Sequence, residues 1–534
     1  MRKYLALALG LLFMLSFTAI AFAIHIPELP PDEQIVTAKG ADIMLGGRIM
    51  VRGWYMSNAN HVVTGTAEGS RIATNAFPGS VTQVDPVQGN YENKAADIAL
   101  WTTNIALTLD ARVADNVEGF IELEVSNGEN VQSGLYVWGQ GTQTGAVNPL
   151  QGHDAKPNAD LRFRQAWIQY TGSGLLGAPA GIKIGHQLIT LGEKQFLNHE
   201  RFGDDALIFF VNPTKDLHLA AATVKANEGI YTVPGDDLDV YALIATYKFS
   251  KDTTAGINYS FFSNSDLDDT FGGAYSSIDG LSFQNVGLHA NGMLASIINY
   301  AVEVDMQFGK AKGFDLGPEH AASDDLKFRG IGVYMKGGYK IPDTALNLRA
   351  SFAYGSGDED GIASANNPSA DNKIKEFQVS QGFDTEVDIA RYVHYTQIYE
   401  RTIATAALMQ SLGGSGAIFG PHRNTGIANT TYYNLGLDLA ATKDLTLSLD
   451  GFLLRATESE GWEQTLDPTG ASDLTVSKNV GWELDFKGSY KLAKNLIYFV
   501  EAGTFKPGDF YEDTAMVDSK KTVTQFIHGL NLTF

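Results

Sequence analysis

The stretch Thr522-Val523-Thr524-Gln525-Phe526-Ile527-His528-Gly529-Leu530-Asn531-Leu532-Thr533-Phe534 decides how this chain is read. Apolar side chains fall on alternate positions (Phe526, Leu530, Leu532, Phe534), and the sequence stops on an aromatic. Successive side chains of a β-strand point to opposite faces, so this alternation marks a ribbon with one apolar and one polar side. Alternation running to a terminal Phe is the pattern of the closing strand of a bacterial outer-membrane barrel. The ends of soluble domains are, by contrast, frayed and polar.

The other end agrees. Arg2 and Lys3 precede an apolar run from Leu5 to Ile20, and Ala21-Phe22-Ala23 is an A-x-A cleavage site. These features predict a signal peptide over residues 1–23 and a mature chain beginning near Ile24. Beyond residue 23 no run of 18 or more apolar residues occurs, which excludes a helical membrane protein. The expected organisation is a signal peptide (1–23), a periplasmic segment (24–42) and an outer-membrane barrel (43–534).

Composition narrows the class further. A soluble chain of 534 residues would suggest several domains, whereas a large barrel is one continuous wall. The absence of cysteine excludes thiolate metal sites, haem attachment and Cys nucleophiles. Fifty-six glycines and 11% aromatic residues suit paired strands with interfacial girdles. The net charge of −22 argues against nucleic acid and anionic lipid as partners.

Short turns alternate with long polar segments. Ile98–Ala111 and Gly119–Ser126 form a hairpin across Val113-Ala114-Asp115-Asn116. Similar turns lie at 250–253, 341–344, 441–444 and 492–495, with the Pro, Asp and Asn chemistry turns require. Between them run segments 57–96, 127–159, 189–204, 264–281, 310–327, 357–427, 457–478 and 506–520. Short periplasmic turns and long external loops are the outer-membrane signature. Alternation alone gives about seventeen strands, an odd number that cannot close with both ends periplasmic. Counting Ala206–Val211 as a strand restores the order and predicts an all-β, antiparallel up-and-down barrel of about eighteen strands, with sixteen as the fallback.

The two faces then separate. The outward set is apolar: Ile331, Val333, Met335 and Tyr339; Leu346, Leu348, Ala350, Phe352 and Tyr354; Val480, Trp482, Leu484, Phe486 and Tyr490. The inward set carries Arg48, Arg52, Arg162, Arg164, Lys183, Lys336 and Arg349, with Glu122, Glu124, Glu303, Asp305, Glu483 and Asp485. A charge facing lipid at mid-depth costs about 2–4 kcal/mol, so these are expected to line a wet lumen. Two roles stand open for them: setting ion selectivity across the lumen, or pairing across neighbouring strands to hold the wall.

Four segments carry a family resemblance: 161–170 (LRFRQAWIQY), 181–187 (GIKIGHQ), 354–358 (YGSGD) and 481–485 (GWELD). Together they resemble the alginate-export family of outer-membrane porins. That resemblance implies an eighteen-stranded barrel conducting a polyanionic polysaccharide. His186 stands where the family pattern leads one to expect arginine, and arginine does not dominate the inferred lumen.

Two segments are candidates for a gate. Glu193 to Asp205, with Glu193, Lys194, Arg201, Asp204 and Asp205, is rich enough in charge to fold inward as a constriction. Segment 357–427 is too long for a passive connector. It opens with Asp358-Glu359-Asp360-Gly361, readable as a cation site or as a solvated acidic tip. Within it, Glu386 to Leu412 has helical spacing and a Gly413-Gly414 stop. Tyr392, Tyr395 and Tyr399 would there be stacking surfaces for sugars, or would pack the loop against the rim.

No G-x-S-x-G, H-E-x-x-H or P-loop pattern occurs, so no enzyme, cofactor or metal site is expected. The favoured expectation is a passive channel for small or oligomeric polar, charged solutes. The alternatives are an export conduit for an acidic polysaccharide and a sheath housing a periplasmic electron carrier. Expected partners are outer-membrane lipids, the solutes themselves, and the barrel-assembly machinery acting on the strand that ends at Phe534.

Overall fold

The computed structural model describes residues 35–38, 41–58, 98–126, 136–137, 160–175, 177–200, 203–228, 237–265, 280–314, 324–360, 371–381, 396–399, 426–460, 463, 475–513 and 522–534. The expected signal peptide lies outside them. Eighteen long strands form one antiparallel sheet: β1 (Ala41–Ser57), β2 (Ile98–Ala114), β3 (Val117–Ser126), β4 (Asp160–Leu175), β5 (Ala178–Gln187), β6 (Asp204–Val211), β7 (Leu217–Asn227), β8 (Leu238–Ser250) and β9 (Thr253–Asn264). They continue as β10 (Gly280–Leu294), β11 (Ile298–Phe314), β12 (Ile331–Lys340), β13 (Leu346–Gly355), β14 (Thr430–Ala440), β15 (Leu445–Ala456), β16 (Asn479–Ala493), β17 (Leu496–Pro507) and β18 (Val523–Thr533). β6, the strand that parity demanded, pairs with β5 and β7.

β18 pairs with β1 from Arg48↔Thr533 to Ser57↔Thr524, which closes the cylinder. Two backbone hydrogen bonds finish the seam: Gly47 N–H to the Phe534 carbonyl (2.8 Å) and Phe534 N–H back to the Gly47 carbonyl (3.1 Å). Closure matters because hydrocarbon offers no partner to an unpaired strand edge. Ile35–Ala38 adds a short strand beside the start of β1.

The outward row is apolar as expected, with one exception. Val480 is fully buried. The β15–β16 register skips a residue between Leu454↔Gly481 and Arg455↔Asn479, and Gly481 sits at φ 138°. This bulge puts two successive residues on the inner side, a reversal that strict alternation cannot anticipate.

The inner face also differs from the expected wet lumen. Along β9, Thr254 and Gly256 are partly exposed while Asn258, Ser260, Phe262 and Asn264 are buried. β16 repeats the trend: Glu483 and Asp485 are buried, Lys487 and Ser489 partly exposed, and Lys491 exposed. Burial therefore rises from the short-turn end toward the long-loop end. The loop-side half encloses an apolar cluster that includes Phe196, Leu197, Phe262, Phe283, Phe377 and Phe505. Wall aromatics meet inserted segments there, and the contact removes both from water.

The seam supplies a test. A Cβ at Gly529 would lie 2.1 Å from the Val51 carbonyl oxygen. Gly529→Val should therefore block closure, read as loss of the heat-modifiable folded band on electrophoresis; normal folded migration would show that the seam tolerates a side chain.

Candidate functional site

The inward charges are mostly spoken for by neighbouring strands. Arg48 donates to Asn104 (2.5 Å), whose amide donates to Glu124 (2.8 Å). Arg52 lies over the Trp54 ring at 4.9 Å. Arg164 pairs with Glu122 at 2.7 Å, both side chains buried. Arg162 shares its inward register with Glu124. Arg349 bridges Asp438 and Asp450, each at 2.8 Å. Lys183 sits 3.8 Å from the face of Trp167, which stacks on Phe120. Lys336 is exposed on the inward register of β12. Cross-strand pairing thus accounts for most of the arginines.

Three segments fold onto the inner wall from the loop side. The first joins β5 to β6. Phe196 packs on Phe262 and Phe283, from β9 and β10. The Glu193 N–H donates to the Glu303 carboxylate of β11, and Asn291 of β10 donates to Glu193 Oε1 at 2.6 Å. On the other flank Arg164 of β4 donates to the Glu200 carbonyl. The segment therefore reaches from β4 to β11. Lys194 pairs with Glu200 within it.

Asp204 and Asp205, expected in the same constriction, part company because they open a strand. Asp204 faces inward and holds His199 Nδ1 at 2.8 Å. Asp205 takes the outward register, well exposed, opposite His186 at 2.9 Å. His186, the family's expected pore position, is thus outward as well. Arg201 lies outside the described residues.

The second segment, 371–381, is stitched to the first. Ser380 pairs with Leu197 in a short parallel ladder, its N–H donating to the Phe196 carbonyl (2.8 Å). Its hydroxyl meets His199 Nε2 at 3.0 Å. Burial disfavours a charged His199, but the Asp204 carboxylate outweighs it and raises the imidazole above its ordinary value. Gln307 of β11 acts as a surrogate strand: its amide donates to the Gln378 carbonyl (2.6 Å) and accepts from the Gln378 N–H (2.8 Å). β11 thus grips one inserted segment through Glu303 and the other through Gln307.

The third piece, 396–399, repeats the device on β16. Glu483 accepts from the N–H groups of Ile398 (2.6 Å) and Tyr399 (2.8 Å), and Asp485 accepts from Gln397 (3.0 Å). Tyr399 is buried with its ring 5.8 Å from Phe505, so it is no exposed surface for sugars. The described part of the expected helix 386–412 is a bend and turn, because its N–H groups serve wall carboxylates instead of an α-helical ladder. Tyr392 and Tyr395 lie outside the described residues. Glu303, Asp305, Glu483 and Asp485 are legible as inward acids; the use of Glu303, Glu483 and Asp485 as backbone anchors is not, and Asp305 instead accepts from the Asn285 side chain at 2.8 Å. Gln307 and Ser380 carry no signal in the sequence, being neutral side chains on an alternating strand and a polar loop, and His199 shows there only as a His-Glu pair without the second histidine of a zinc motif.

The acidic run 358–360 is neither a cation site nor a free tip. Lys375 occupies it, with Nζ 2.9 Å from Glu359 and 2.8 Å from Asp360, and its N–H donates to Asp358 (3.1 Å). The cation is the chain's own ammonium. Among the described residues no cluster of three or more His, Cys, Asp or Glu is arranged to hold a metal. Burial first, and the neighbouring Asp360 second, push Asp358 up to about 8.

With this geometry in view, comparison with known proteins adds the family. Residues 241–525 match the alginate export family. The chain belongs to the alginate-export family. Of the four resembling segments, 354–358 and 481–485 fall within that match. This family member is an outer-membrane β-barrel, placed by the closed wall and the family alike. Similar solved structures include OccAB2 of Acinetobacter baumannii, at 9% identity and TM-score 0.46, covering 92% of this chain and 98% of that one. OprD of Pseudomonas aeruginosa follows at 10% and 0.44 (92% and 94% covered), and a BenF-like porin of Pseudomonas fluorescens Pf-5 at 11% and 0.44 (92% and 99% covered). No curated protein matches the sequence.

Two predictions follow from the anchors. Gln307→Leu leaves the buried Gln378 backbone unpaired, a loss of about 1–3 kcal/mol per group. Glu303→Leu should act likewise on the first segment. Both variants are expected to raise single-channel conductance and to speed hydrogen exchange in 193–198 or 376–380; unchanged values would show that the segments do not depend on β11. An aspartate raised on folding takes up a proton, so its contribution to stability is fully present below about pH 4 and is lost as pH climbs through about 8. Hydrogen exchange at 371–377 should therefore quicken between those limits in the wild type, and Asp358→Asn should flatten that dependence.

Proposed function

We propose that this barrel is an outer-membrane channel for small or oligomeric polar solutes, with a preference for anions. One observation carries the reading. The turn-side half of the inner wall is water-exposed and presents Lys248, Lys336 and Lys340, none with a carboxylate in ion-pair range among the described residues. The inward acids are engaged differently: Glu122 and Asp450 bind arginine, while Glu303, Glu483 and Asp485 hold backbone. The charges left to meet a solute are therefore mainly cationic, and a lumen of one free sign draws in the opposite ion. The segments 188–200, 371–381 and 396–399 form its constriction, with Arg164 at one bank.

The family supports a second reading, a conduit for an acidic polysaccharide, which the same lysines would serve from the periplasmic side. A sheath for an electron carrier fits less well, because the chain's own segments take up inner-wall space at the loop side. An enzymatic role also finds little support. Ser380, His199 and Asp204 have the connectivity of a hydrolytic triad, yet Ser380 is buried and its own N–H is committed to the Phe196 carbonyl. The strand ending at Phe534 is the expected handle for barrel-assembly machinery.

Reversal potentials in a planar bilayer under a salt gradient test the proposal. The wild type should favour chloride over potassium, and Lys336→Glu should lower that ratio about threefold or more. A cation-selective wild type would overturn the anion preference, and complete absence of current would overturn the channel. Block by uronate oligomers from the turn side alone would favour the export conduit.

A further inference from the structure

The outer surface carries a feature that the lumen does not explain. Along β11 the outward side chains are Ile298, Tyr300, Val302, Val304, Met306 and Phe308, followed by Lys310 and Lys312. Crossing the hydrocarbon takes about nine to eleven residues of tilted strand, the length from Ile298 to Phe308. The two lysines therefore stand where the apolar band ends. The ladder continues above it: Lys310 lies directly opposite Lys327, on the short strand Asp324–Phe328. Lys327 in turn pairs with Lys373 on the short strand Lys373–Ile374. Lys327, Arg329 and Ile331 alternate outward, while Leu326 and Phe328 are buried inward. Five cations thus share one outward patch.

Like charges directly opposite one another on a sheet destabilise it unless something answers them. Asp325 answers Lys310 and Asp371 answers Lys373. Lys312, Lys327 and Arg329 are exposed and have no carboxylate in ion-pair range among the described residues. At the corresponding height on β5 to β8 the outward groups are His186, Asp205, Lys225 and Asp239, where Lys225 is bound by Asp237 and Asp239. The cationic excess therefore occupies one flank of a chain whose net charge is −22.

We infer that this patch binds the phosphorylated headgroup of the outer-leaflet glycolipid. The position selects the occupant. The row begins where the acyl-facing band stops, so a lipid lying against β11 places its phosphates at Lys310, Lys312, Lys327 and Arg329 and its chains on Met306 and Phe308. Arginine and lysine both suit phosphate oxygens, arginine through its planar fork. The overall acidity that argued against an anionic lipid is a sum over the chain; on this flank Lys312, Lys327 and Arg329 stand without an acidic partner among the described residues.

The experiment uses the full-length barrel in uncharged detergent, with native mass spectrometry as the readout. The probes are bisphosphorylated lipid A, the same lipid after dephosphorylation, and millimolar inorganic phosphate as competitor. Bisphosphorylated lipid A should bind, and dephosphorylation should weaken binding at least tenfold. The combined Lys312→Ala, Lys327→Ala, Arg329→Ala variant should weaken it roughly a hundredfold. Lys327→Gln alone should show a smaller loss, and Lys443→Ala, in a turn at the other end, none. Rising salt should release the lipid. Equal binding of the dephosphorylated lipid, or wild-type affinity in both the triple and single variants, would overturn the inference. Displacement by inorganic phosphate would do so too, by showing a site for free anions.

Discussion

Every strand edge in hydrocarbon must be paired, because an orphaned N–H or C=O there finds no water. The rest of this molecule depends on that constraint. It forces β18 onto β1 and requires alternation with a polar side turned inward. The terminal Phe534 is part of the same solution, since its backbone completes the seam with Gly47.

A closed wall of eighteen strands leaves space, and the chain fills much of the loop-side half itself. It does so with few side-chain types: carboxylates and one amide on inward registers receive the backbone N–H groups of inserted segments. A carboxylate accepting several N–H bonds replaces the ladder partner that a segment lying across a wall cannot otherwise find. The apolar contacts of Phe196 and Phe377 then exclude water from those bonds, which strengthens them. Both effects act together. Polar anchors fix position, and aromatics supply most of the buried area.

The fold was legible because lipid on one face and water on the other write a two-residue period into every strand. The hairpins, the outward rows and all but one of the strands follow from it; the strand at Ala206–Val211 needs the parity argument as well. Val480 shows the limit: a bulge at Gly481 shifts the phase, and glycine alone does not announce which of the many glycines carries one. The inward charges were also legible as inward, but their partners were not. Whether Glu483 meets an ion, an arginine or a backbone depends on a loop more than eighty residues earlier in the chain, at Gln397 to Tyr399. Likewise the sequence pairs Glu193 to Asp205 as one charged block, whereas the strand start at Asp204 divides it between two sides of the wall.

β11 is a ribbon with two jobs on its two sides. Inside, Glu303 and Gln307 hold two inserted segments; outside, a few residues farther along, stand Lys310 and Lys312, where we infer the glycolipid headgroup binds. On the inferred lipid contact, permeability would belong to the envelope as much as to the polypeptide, because the element that carries the glycolipid outside also carries the inserted segments inside.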